Sequence, residues 1–92
     1  RAAWLLGESL RLLGRTDAAR DALRSAIGLW QRLEDGVGEA TGWQSLARLA
    51  WRERRPREGR AALERAAALF SAAGLTDRAE RALSEIGELG SP

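Results

Sequence analysis

Apolar residues in this chain fall in stripes at three-and-four spacing, interrupted at short intervals by Gly, Pro, Thr and Asp. Ala19, Leu23, Ala26, Ile27 and Trp30 form one stripe, and Trp43, Leu46, Ala47 and Ala50, with Leu49 beside them, form another. Leu63, Ala66, Ala67 and Phe70 form a third, and Ala79, Ala82, Leu83 and Ile86 a fourth. That spacing marks one face of an α-helix. The interruptions predict five helices. The first covers residues 2–13 and ends at Gly14, a natural C-terminal cap. Thr16 caps the second, which closes at Asp35-Gly36, and the third covers residues 37–54. Pro56 opens the fourth, where its missing N–H costs nothing, and Gly74 ends it. Thr76 then caps a fifth that runs to Leu89.

The stripes repeat. The segment from Ala3 recurs from Trp43 and again, more faintly, from Leu83, at a constant offset of 40 (43 − 3 and 83 − 43). Leu6-Gly7 then aligns with Leu46-Ala47 and Ile86-Gly87, Ala22-Leu23 with Ala62-Leu63, and Leu29-Trp30 with Leu69-Phe70. A period of this length, with large and small apolar residues at fixed offsets, marks a stacked helical array. The expected units are residues 1–36 and 37–75 as two helical hairpins, with 76–92 as the first helix of a third or a capping helix.

Composition narrows the chemistry. With 92 residues the chain is at most one small domain. It has no His, Cys, Met or Tyr, and every one of its 15 basic residues is Arg. The usual general base and the usual transition-metal ligands are therefore missing. No phosphate loop or nucleophile motif is present, so no catalytic, cofactor-binding or metal site is expected, and the chain is read as a non-enzyme. No apolar run approaches the roughly 20 residues that span a bilayer, and no signal peptide is recognisable, so a cytoplasmic excerpt of a longer protein is expected.

Leu6-Gly7-x-x-Leu10, Gly14-Arg15-x-Asp17-x-Ala19 and Leu23-x-x-Ala26 in the first unit resemble the tetratricopeptide repeat. So do Trp43-x-x-Leu46-Ala47-x-x-Ala50 and Gly59-x-x-x-Leu63-x-x-Ala66 in the second. The resemblance implies an all-α, right-handed superhelical stack of antiparallel hairpins that binds proteins. The repeat is longer than that family's usual unit, and Gly36 and Gly74 stand where a closing proline is common. Long units of this kind are similar to those of bacterial LuxR-type and antibiotic-regulatory transcriptional activators, the stretch Ala66–Gly90 especially.

In the family's geometry the first helix of each hairpin lines a concave groove. That placement implies a groove of Trp4, Glu8, Arg11 and Leu12 from one unit and Thr41, Gln44, Arg48, Trp51 and Arg52 from the next. Trp and Arg are enriched among binding hot spots, and Trp51 between Arg48 and Arg52 suits an acidic or aromatic peptide. The plainer alternative is that Trp4 and Trp51 pack against neighbouring helices. The expected partners are a protein or peptide, adjacent repeats of the same parent chain, or a second copy. From Arg48 to Arg60, six Arg face Glu53 and Glu58, a local excess of four (6 − 2). This basic turn, with Arg54, Arg55 and Arg57, is a candidate nucleic-acid contact. Without interleaved aromatics it reads better as a solvated helix–helix turn. A purely structural scaffold is the remaining alternative.

Overall fold

The computed structural model describes the backbone of residues 2–90 and the side chains of residues 16–89. It is all-α, as expected, with four helices in those residues: α1 (Ala2–Arg32), α2 (Gly36–Arg52), α3 (Pro56–Ala72) and α4 (Thr76–Gly90). The first difference from the sequence reading lies in α1. The break expected at Gly14 is absent, and the helix continues through Thr16-Asp17. A lone glycine costs a helix only about 1 kcal/mol relative to alanine, and no proline stands nearby to forbid continuation.

The other three breaks share one construction. At each, a 6→1 bond closes the helix: Asp35 N–H to Trp30 O (2.9 Å), Arg55 N–H to Ala50 O (2.9 Å) and Leu75 N–H to Phe70 O (2.8 Å). A 5→2 bond lies inside it, from Glu34, Arg54 or Gly74. This is the Schellman arrangement, whose penultimate residue must be left-handed. Glu34 (φ 56°), Arg54 (φ 60°) and Gly74 (φ 80°) occupy that position, at intervals of 20 (54 − 34 and 74 − 54). α2 and α3, each with its turn, are thus the two equal halves of one 40-residue repeat, whereas α1 runs unbroken through the corresponding position at Gly14. Gly36, expected to stop a helix, instead begins α2 behind the Asp35 cap, whose carboxylate accepts from Gly38 N–H at 2.9 Å. Thr76 likewise lies inside the first turn of α4, where the Leu75 carbonyl takes the first bond, from Ala79 N–H.

α3 lies at the centre. Leu63 and Phe70 are its largest fully buried side chains, surrounded by Ala40 and Ala47 of α2 and Ala79 and Ala82 of α4. Small partners let helix axes close up, and at two junctions the approach requires glycine. A Cβ on Gly59 would lie 2.3 Å from the Trp51 ring, and one on Gly42 2.8 Å from Ile27 and Trp30. Ala19 and Leu83, assigned to core stripes by spacing, are exposed in the structure.

Candidate partner-binding surfaces

Residues three, then four apart on a helix share a face. On α2 that rule aligns Thr41, Gln44 and Arg48, and on α4 it aligns Arg78, Arg81 and Glu85. The two rows lie side by side around a hollow of about 390 Å³ that reaches down to Phe70. Arg48 closes one end with two hydrogen bonds to Glu85 Oε1, from Nη2 (2.7 Å) and Nε (3.3 Å). Glu85 Oε2 is buried and accepts no hydrogen bond from the described residues. The Arg78 guanidinium lies 6.0 Å from the Phe70 ring centroid, a cation–π distance. Thr41 directs its hydroxyl to its own helix, donating to Val37 O at 3.0 Å. Three arginines therefore border the hollow against one carboxylate.

The structure thus brings together Thr41, Gln44 and Arg48 of the groove expected from the sequence. Trp51 is placed elsewhere, its ring on Gly59 of α3 and packed against the core, which is the plainer of the two readings. Arg52 is exposed at the end of α2 and does not line the hollow. Trp4, Glu8, Arg11 and Leu12 lie outside the residues whose side chains are described. Arg78, Arg81 and Glu85 were not anticipated. Their internal spacing matches that of Thr41, Gln44 and Arg48, but the 40-residue offset maps those three onto Arg81, Ser84 and Glu88, so only Arg81 follows from the repeat.

The basic turn is less free than its composition suggests. Arg20 of α1, only 9% exposed, crosses to it and pairs with both of its acids, Glu53 and Glu58 (3.1 Å to the latter). Arg24 reaches Glu58 at 3.6 Å, and Arg55 reaches Glu53 at 3.6 Å and Glu58 at 3.7 Å. Three arginines so share two carboxylates, and the cluster fastens α1 to the α2–α3 turn. Arg54 and Arg57 remain exposed beside it.

A second polar cluster sits where α1, α2 and α3 meet. Buried Glu39 accepts hydrogen bonds from Trp43 Nε1 (3.0 Å) and Gln31 Nε2 (3.1 Å), with Arg65 at 3.8 Å. The Trp43 hydrogen bond holds the Glu39 carboxyl below its ordinary range; Gln31 and Arg65 act in the same direction, and burial opposes them. Arg65 also stacks 5.3 Å over the Trp43 ring. Among the described residues no group of acids could hold a metal ion, and no helix is long and apolar enough to cross a membrane.

A family model described as "Tetratricopeptide repeat" matches residues 1–72. No curated protein and no solved structure matches the chain. The match covers most of the sequence, and the chain belongs to the tetratricopeptide repeat family.

Proposed function

We propose that this tetratricopeptide repeat chain is a protein–protein interaction module, without catalytic activity, whose α2–α4 hollow receives an acidic segment of a partner protein. The observation that carries this reading is the charge of the hollow: Arg48, Arg78 and Arg81 against Glu85 alone. Arg48 is already committed to Glu85, whereas Arg81 is exposed. Arg78 is exposed too, at cation–π distance from Phe70, a contact that uses none of its N–H groups. Planar guanidinium forks suit carboxylates, and complementary charge also speeds encounter. The test is calorimetric titration with an acidic peptide against the wild type and an Arg78→Glu/Arg81→Glu variant. The variant should lose at least about tenfold in affinity, the equivalent of one charge-assisted contact, with its helical content intact. Equal affinities would rule the hollow out.

The proposed setting is the regulatory or sensory repeat region of a larger bacterial transcriptional regulator, working in the cytoplasm. The Ala66–Gly90 stretch supports it through its similarity to such regulators' repeats. A parent reading frame without a DNA-binding module would sink that part of the proposal and leave the module itself standing. Exposed Leu29 (55%), Leu33 (66%) and Leu83 (51%) favour stacking on adjacent repeats or on a second copy as a further mode of association. Sedimentation of a Leu29→Ser/Leu33→Ser variant checks it, the expected result being loss of any dimer seen with the wild type.

A further inference from the structure

On the side away from the arginine hollow, α1 and α3 stand apart over α2 and leave a cleft of about 820 Å³. That volume lies within the roughly 300–1,000 Å³ typical of small-molecule sites. Its apolar lining comes from Ile27 and Gly28 of α1, Trp43 and Leu46 of α2, and Ala61 and Ala62 of α3, with polar and charged side chains of α1 and α3 beside them. A Cβ built on Gly28 would meet nothing within 4 Å, so space there is open. Arg24 and Gln31 line the cleft from positions seven residues apart on α1, about 10 Å along the helix at 1.5 Å per residue.

The two ends differ in charge. At the Gln31 end, Glu39 takes hydrogen bonds from Gln31 and Trp43 and balances Arg65, while Glu64 is paired with Arg60 at 3.1 Å. At the Arg24 end, Arg20, Arg24 and Arg55 share Glu53 and Glu58, leaving one positive charge in excess. Arg20 is buried and takes the closest contacts to both acids. Arg24 is 61% exposed and stays 3.6 Å from Glu58, beyond hydrogen-bond distance, and of the three arginines it is the one that lines the cleft.

We infer that this cleft binds an amphiphilic monocarboxylate, its apolar body lying over Trp43 and Leu46 and its carboxylate on Arg24. The site is separate from the partner hollow and independent of that reading. Decanoate is a probe of suitable length, and decyltrimethylammonium is its cationic counterpart. Calorimetric titration of the full chain below micellar concentration should give saturable one-to-one binding of decanoate and none of the cation. Arg24→Gln should weaken decanoate about tenfold, the loss expected for one charge-assisted hydrogen bond. Gly28→Leu should abolish binding by filling the cleft, with an unchanged or raised melting temperature, since leucine is the better helix former. Arg78→Glu/Arg81→Glu should leave decanoate binding unchanged. Absence of binding, equal binding of anion and cation, or full binding by Gly28→Leu would overturn the assignment. So would loss of decanoate binding in Arg78→Glu/Arg81→Glu.

Discussion

Between α2, α3 and α4 the buried core is alanine, leucine and phenylalanine, with the ion pairs Arg48–Glu85 and Arg65–Glu39 outside it. Between α1 and α3 the contacts are arginine to glutamate, with an open cleft beside them. The difference follows from side-chain length. Alanine at Ala47, Ala62, Ala66 and Ala82 lets helix surfaces meet and exclude water, and apolar burial stabilises them at about 25 cal/mol per Å². Arginine reaches across a gap without closing it, and its ion pairs contribute little where water enters. One array therefore holds a tightly packed half, α2 to α4, and a half in which α1 packs closely on α2 but is only tethered to α3, with the apolar cleft between them.

Phe70 is 1% exposed at the centre of the packed half. Phe70→Ala should cost about 3–5 kcal/mol through lost burial and the cavity it leaves, read as loss of cooperative thermal unfolding by circular dichroism. On the tethered side, Arg20→Ala leaves Glu53 and Glu58 without their closest partner. Those acids are still partly hydrated, so the loss should be about 1–3 kcal/mol by urea denaturation. Hydrogen exchange should rise in residues 16–32 more than in α3. Glycine substitutions sharpen the contrast. Gly59→Ala drives a methyl into the Trp51 ring and should destabilise by about 1–2 kcal/mol despite alanine's better helix propensity. Gly28→Ala enters open space and should stabilise by about 0.5–1 kcal/mol.

The smallest expected effect concerns pH. Because the native pKa of Glu39 lies below its unfolded value, Glu39 contributes stability above the unfolded value that is lost as pH falls through the lower, native one. Trp43→Phe removes the largest cause of that shift. The variant should show a flatter acid-side stability profile than the wild type between about pH 5 and pH 3, near and below the ordinary glutamate pKa.

Much of the packed half was legible because its causes are local. Three-and-four spacing placed Leu46, Ala47, Ala66 and Phe70 in the core, and Pro56 and Gly74 marked ends that the structure keeps. The tethered half was not legible, because Arg20 meets its acids 33 and 38 residues away and nothing in its own helix marks it for burial. Glu34 and Arg54 take left-handed positions that usually favour glycine, so these turns carry no glycine signal, whereas Gly14 and Gly36 lie within helices. Trp51 carried a signal that went unused: it stands eight residues before Gly59, as Trp30 stands eight before Gly38, and both rings lie on their glycine. Of the groove, the α2 row followed from the family's geometry. Of the α4 row the 40-residue repeat reaches only Arg81, because the two rows are offset by 37 residues (78 − 41).

The most direct test of the interaction reading is a chemical-shift map of the isotopically labelled chain titrated with an acidic peptide. The account predicts that perturbations concentrate at Thr41, Gln44, Arg48, Arg78, Arg81 and Glu85 and fade as salt is raised. A map centred on Arg54–Arg57, or one that leaves the α2 and α4 rows unmoved at saturation, would contradict it.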